Sequence, residues 1–166
     1  MVSYYKTVAN RLIEVDSLMP GCWISVVDPT AQERKMLIDD YGLDSDFLKS
    51  SLDEEESSRV EQEENQTLII VDTAVSEVQK DDTLIFYTMP LGIIITDHYV
   101  FTISLRENKV IDDVVSGRVR NIQTQFRTQF VLRLMMNITA SFLVYLKRSS
   151  DLTRLPAPCS GNCTVQ

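Results

Sequence analysis

After Glu107-Asn108 the hydrophobic period of this chain changes from two to about 3.6, and no other feature constrains the fold as much. Upstream, short runs rich in Val, Ile, Thr and Tyr are punctuated by turn residues and read as strands. Downstream the apolar residues take helical spacing. A run of strands followed by helices predicts an α/β (α+β) domain, in which a mixed, largely antiparallel β-sheet is sandwiched by helices and a long C-terminal helix leads away.

The individual elements follow from local chemistry. Residues 4–15 read as two short strands around Ala9-Asn10, and Pro20-Gly21 turns the chain into a strand over 22–27 whose apolar density predicts cover on both faces. Thr30-Ala31-Gln32-Glu33 has capping-box spacing, and Met36, Leu37 and Tyr41 give that helix its apolar stripe, with Gly42 as the residue that ends it. A second helix is expected from Ser45, burying Phe47, Leu48 and Leu52. Past the connector Asp53-Glu54-Glu55-Glu56-Ser57-Ser58, residues 59–63 and 67–75 read as an antiparallel pair, and Lys80-Asp81-Asp82 as a turn. Three further strands are expected over 84–88, 91–96 and 99–105, with Asp97-His98 joining the last two.

Val110, Val114 and Val115 mark a short helix ending near Gly117. The long helix is expected over about 124–147, with Phe126, Phe130, Leu134, Ile138, Phe142 and Leu146 as one stripe and Val131, Met135 and Tyr145 beside it. The apolar stretch within it is interrupted by Asn137 and is shorter than the ~20 residues a bilayer needs, so no crossing is expected. The domain is placed at 1–148. Residues 149–166, with Pro156, are read as a loose tail and as non-native sequence.

Charge narrows the function. With 16 Lys+Arg against 24 Asp+Glu the net charge is −8, which lacks the basic face that replaces phosphate counterions, so no nucleic-acid partner is expected. The distribution is uneven: residues 1–113 hold 9 Lys+Arg against 23 Asp+Glu, and residues 114–166 hold 7 against 1. An acidic body thus carries a basic C-terminal helix. Three cysteines make no disulfide framework; Cys22 reads as a small buried apolar residue, and Cys159 and Cys163 lack the partners of a zinc set. The start has no basic segment followed by an apolar run, so a signal peptide is not expected and the compartment reads as reducing.

Catalytic patterns find no support. The single His98 falls at a hairpin tip beside Asp97, where it reads as a turn residue, and the five glycines form no phosphate-binding loop. An enzyme is therefore not expected. What remains is hard-cation chemistry: magnesium keeps most of its water and needs only one or two carboxylates. Asp53, Glu54, Glu55 and Glu56 are the candidate metal-binding residues, with Glu61, Glu63, Glu64 and Asp81-Asp82 as further acidic patches. The same residues also read as solvated turns and strand edges.

The order of motifs is more specific than any one of them. Trp23-Ile24 followed by Val26, Pro29-Thr30 and Glu33 resembles the strand-to-helix junction of CorA-type magnesium/cobalt transporters. Tyr41-Gly42-Leu43 with Phe47-Leu48 and Leu52 is similar to that family's helix pair, and Ser58-Arg59-Val60-Glu61 to its strand after the acidic connector. The strand hairpin from Pro90 to Thr96 and from Tyr99 to Ile103, and the helix over 132–146, complete a resemblance spanning about residues 2–147. It implies an N-terminal cytoplasmic domain of α/β/α type, followed in the family by a stalk, two membrane helices and a Gly-Met-Asn loop, none of which this sequence contains. It further implies self-association as a homopentamer, a cell-membrane location with this domain on the cytoplasmic side, and Mg2+ (with Co2+ or Ni2+ as other cargo) held weakly between subunits to regulate the pore. The family's interface acid falls on Ser50, one turn before Asp53. The alternative is a freestanding acidic protein-interaction domain.

Overall fold

The computed structural model describes residues 1–78 and 84–152. Seven strands form one sheet: β1 (Val2–Val8), β2 (Arg11–Val15), β3 (Trp23–Val27), β4 (Arg59–Glu63), β5 (Gln66–Val78), β6 (Leu84–Ile95) and β7 (Val100–Ser104). Their order across the sheet is β2-β1-β3-β7-β6-β5-β4, antiparallel everywhere except between β3 and β7. Helices α1 (Ala31–Asp39), α2 (Ser45–Ser50), α3 (Lys109–Val115) and α4 (Arg127–Leu152) complete the domain. The mixed, largely antiparallel sheet between helices is the expected architecture.

The central strands read as continuous apolar runs because helices cover both faces. On one face Trp23, Leu91, Ile93 and Val100 pack against Val110, Val114, Phe130, Leu134 and Ile138 of α3 and α4. On the other Ile24, Val26, Ile94, Phe101 and Ile103 meet Leu37, Leu43, Phe47 and Leu48 of α1, α2 and the loop between them. Each fully buried aliphatic or aromatic side chain contributes roughly 1.5–3 kcal/mol. Trp23 lies against Tyr5 and Phe130, with ring centroids 4.9 and 5.2 Å away, and its indole N–H donates to Thr102 Oγ1 at 2.9 Å.

Local chemistry ends the elements where the residues predict. The Thr30 hydroxyl accepts from the Glu33 amide at 3.2 Å while Glu33 Oε2 accepts from the Thr30 amide at 2.8 Å, closing the capping box. Gly42, at φ 67°, lets the Leu43 amide return to the Leu37 carbonyl at 3.1 Å. Asn108 caps α3 through the Val110 amide at 2.9 Å and donates to Thr73 Oγ1 at 2.7 Å, so a buried amide serves both helix and sheet. Asn137, which interrupts the apolar run of α4, donates to the Val110 carbonyl at 3.1 Å and ties α4 to α3.

Three expectations are corrected. Residues 84–88 and 91–96 are not two strands: β6 runs unbroken through Pro90. Pro90 pairs with Asp72 of β5, and β7 pairs β6 only from Gly92 onward, so the missing N–H faces a side with no ladder. Helix α4 starts at Arg127 and continues past Lys147 to Leu152, because nothing between Ser149 and Leu152 breaks a helix. Its stripe is buried only in the middle: Phe130, Leu134 and Ile138 are covered, whereas Phe126 and Leu146 are exposed. By length and composition Arg127–Lys147 could cross a membrane (mean hydropathy 1.4), but that central face is packed into the core, and a core helix meets the same criterion. The turn expected at Lys80-Asp81-Asp82 and Cys159 and Cys163 of the tail lie outside the described residues.

Candidate functional site

Helix α2, the connector after it and edge strand β4 place the acidic residues. Asp44 caps α2 by accepting from the amides of Asp46 and Phe47 at 2.8 and 3.0 Å, and Phe47 and Leu48 anchor the helix in the core. Its last turn presses on β6. Ser51 is buried, donates to the Phe47 carbonyl at 2.8 Å, and lies so close to Gly92 that a Cβ there would sit 2.1 Å from Ser51 Oγ. The start of the connector is thereby fixed to the centre of the sheet.

From this anchor the chain runs out into solvent through Asp53, Glu54 and Glu55, all exposed. Asp53 Oδ1 accepts from the Glu55 amide at 3.0 Å and shapes the turn. Glu54 pairs with Arg106 at 3.7 Å, an exposed contact worth little. Glu56 accepts from the Ser57 amide at 3.2 Å and forms an ion pair with Arg59.

Arg59 is the hub. Its Nε donates to Glu61 Oε2 at 3.1 Å, its Nη2 to Ser50 Oγ at 3.2 Å, and its Nη1 meets Glu56. The hydrogen bond to Glu61, reinforced by the charges of Glu56 and Glu61, stabilises the guanidinium still further. One arginine thus clamps the C-terminus of α2, the connector and β4. Ser50, where the family's acid would fall, is an acceptor for that arginine.

The four candidate residues lie on one stretch of surface without converging. Among the described residues no group of three or more His, Cys, Asp or Glu side chains is placed to hold a metal ion. Within one copy this donor set makes no cage; exposed carboxylates such as Asp53, Glu54 and Glu55 suit a hydrated ion that takes one or two ligands from the protein. Glu61 and Glu63 stand on the edge strand and Glu64 in its turn, where charge also blocks edge-to-edge pairing.

His98 sits in the β6–β7 turn, its amide donating to Thr96 Oγ1 at 3.4 Å and its ring meeting Tyr99 edge-on. Its placement is that of a turn residue. Sequence reasoning passed over the close approach of Gly92 to Ser51, which leaves no pattern in the sequence. It also passed over exposed apolar residues on the outer face of α4, for which a signal exists in the spacing of Leu132, Met136 and Leu143.

Comparison with known proteins bears on the fold as a whole. A family model described as CorA-like Mg2+ transporter protein matches residues 21–154. The complete CorA magnesium transporter from Methanocaldococcus jannaschii superposes with a TM-score of 0.74 at 23% identity, over 91% of this chain and 48% of that one. The soluble domain of CorA from the same organism gives 0.75 at 24%, over 91% and 60%. The ZntB cytoplasmic domain from Vibrio parahaemolyticus RIMD 2210633 gives 0.64 at 10%, over 90% and 62%. These identities show a shared fold, and the chain spans about half the length of the complete transporter it matches. No curated protein sequence matches it.

Proposed function

This chain belongs to the CorA-like Mg2+ transporter family, and we propose that it is the cytoplasmic regulatory domain of a divalent-cation transporter or channel rather than an enzyme. The observation that carries the reading is the match of a transporter-family model across residues 21–154, on a helix-flanked sheet shared with the soluble domain of CorA from M. jannaschii. In this reading the domain surrounds a membrane pore as one copy of a homopentamer on the cytoplasmic side of the cell membrane. The cargo is Mg2+, with Co2+ and Ni2+ as related hard or borderline cations.

The acidic surface supplies a physical basis for regulation. Copies carrying Asp53, Glu54 and Glu55 on exposed turns repel one another when brought close. Hydrated Mg2+ between them, taking one or two carboxylates from each side, offsets that repulsion in the assembled state only. An ion that binds one arrangement of the copies better than another shifts the population toward it. Arg59 positions the acids by holding the connector to α2 and β4.

The test is a chimera. Residues 1–152 replace the corresponding part of a CorA transporter, and Mg2+ uptake is followed as internal Mg2+ rises. Uptake that shuts off with internal Mg2+, and shuts off less when Asp53, Glu54 and Glu55 are changed to the amides, supports the reading. Uptake that ignores internal Mg2+ in a folded, membrane-inserted chimera refutes the regulatory role.

A further inference from the structure

Strand β2 lies at one edge of the sheet and β4, with the acidic surface, at the other. At the β2 edge the turn between β1 and β2 and the linker between α3 and α4 enclose an open cleft of about 460 Å³. None of the described residues lining it is Asp or Glu, although the chain carries 24 of them. Arg11 comes to it from the turn and Arg120 from the linker. Neither guanidinium has an ion-pair or hydrogen-bond partner among the described residues. The acid that could reach them from the end of α3, Asp113, is already held by Lys109 at 3.3 Å and by Arg118.

The two walls are fastened to each other. The Thr7 amide donates to Thr124 Oγ1 at 3.0 Å, the Thr7 hydroxyl to the Ile122 carbonyl at 3.0 Å, and the Thr124 amide to Thr7 Oγ1 at 3.2 Å, all in buried surroundings. Gln123 Nε2 donates to Asn10 Oδ1 at 2.7 Å, which leaves the Asn10 amide nitrogen as a donor at the mouth. Asn10 and Asn121 hold left-handed backbone at φ 63° and 59°, a conformation asparagine tolerates well. The cleft is therefore pre-formed, and its volume falls in the range of small-molecule sites.

Its chemistry selects a class of ligand. Solvated arginines are ordinary on a surface; these two share an acid-free cleft above an apolar floor of Leu12, Val119 and Ile122. Guanidinium forks match phosphate oxygens, and two of them balance the nearly two negative charges of a phosphate monoester near neutral pH. A carboxylate brings one charge. Inorganic phosphate would leave the floor uncovered, whereas an ester lays its organic body there. We propose that this cleft binds a phosphate monoester, its phosphate between Arg11 and Arg120 and its organic body on Leu12, Val119 and Ile122. The site stands at the opposite edge of the sheet from the acidic connector, and its argument does not depend on the transporter reading.

The full 166-residue chain is titrated by calorimetry with adenosine 5′-monophosphate, adenosine and inorganic phosphate. Flotation with phosphatidylcholine vesicles containing phosphatidic acid runs alongside. The nucleotide is expected to bind at least tenfold more tightly than adenosine or inorganic phosphate. Arg11→Gln and Arg120→Gln should each weaken it at least tenfold, with the far-UV spectrum and Trp23 emission unchanged, because both side chains are exposed. Lys35→Gln removes the same charge from exposed α1 and should leave the affinity as it is. Nucleotide binding without flotation identifies a free ester as the ligand; flotation that the double arginine variant loses identifies a lipid headgroup. Four results overturn the proposal: neither ester binds, adenosine or inorganic phosphate equals the nucleotide, the folded double variant keeps wild-type binding, or Lys35→Gln weakens binding as much as the arginine variants do.

Discussion

Replacing Gly92 by alanine tests the anchoring of the acidic connector with a sign as well as a size. In an open strand, alanine for glycine at an ordinary backbone conformation stabilises by about 0.4–1 kcal/mol, because the unfolded chain has less freedom to lose. Here the added methyl would sit 2.1 Å from Ser51 Oγ, 2.4 Å from Ser51 Cβ and 3.1 Å from Ser51 Cα. Only Oγ is a side-chain terminus; Cβ and Cα cannot move without the backbone, and Ser51 is held by its bond to Phe47 and by burial. Overpacking of this kind costs about 1–3 kcal/mol, so Gly92→Ala should destabilise by about 1–2 kcal/mol net. Ser51→Ala leaves the 2.4 Å contact and should relieve little. Ser51→Gly removes both side-chain contacts: it should destabilise the wild type, through the lost hydrogen bond and added chain freedom, yet stabilise the Gly92→Ala variant. Urea unfolding followed by Trp23 fluorescence gives the four free energies. A Gly92→Ala protein as stable as wild type, or a Ser51→Gly effect of the same sign in both backgrounds, refutes the close packing of α2 on β6.

Other outcomes follow from single contacts. The Thr30 amide, opposed by partial burial and helped by the Met1 ammonium at 3.2 Å, holds the Glu33 carboxyl below its usual range. Its stabilisation is therefore present above the unfolded value of about 4.3 and lost as the pH falls through the lower folded value; Glu33→Gln should cost a few tenths of a kcal/mol to about 1 at pH 7, and the gap should close in acid melts. Partial desolvation of a side chain that stays exposed, with Glu107 and Asp113 adding repulsion, raises Asp112, so its small penalty grows as the pH rises through the folded value; Asp112→Asn should raise the melting temperature slightly at pH 7 and lose that advantage near pH 3. Asn108→Ala removes the cap of α3 and the partner of buried Thr73, and should cost about 1–3 kcal/mol in urea unfolding. Trp23 is the single tryptophan and fully buried, so its emission should be blue-shifted and insensitive to iodide until the domain unfolds.

What the residues disclosed in advance was what depends on near neighbours. The Thr30–Glu33 box, the change of period after Asn108, the Gly42 and Gly117 stops and the strand runs are all set by chemistry within a few residues, and all are found in place. Pro90 misled because its cost depends on whether a strand lies on its N–H side, which is a property of the β6–β7 register. Phe126 and Leu146 misled because an apolar stripe shows that a helix has a buried face without showing how far along it the sheet extends. Asp53 to Glu56 could be read as acidic, but whether carboxylates converge depends on Arg59, three residues on, which takes Glu56, and on Arg106, which reaches Glu54 from beyond β7.

The parallel contact between β3 and β7 is the seam at which the sheet's two blocks join, and its strands are about 80 residues apart in the chain. As the polypeptide leaves the ribosome, β1, β2 and β3 emerge first with one side of β3 unpaired and Trp23, Ile24 and Val26 still uncovered. At about 5–20 residues per second the partner strand arrives roughly 4–16 s later. During that interval the nascent chain presents a bare apolar strand margin, open to pairing with its neighbours on a polysome or to capture by a chaperone. Synthesis that is slowed between residues 27 and 100 should therefore lower the soluble yield of this domain more than an equal delay after residue 104.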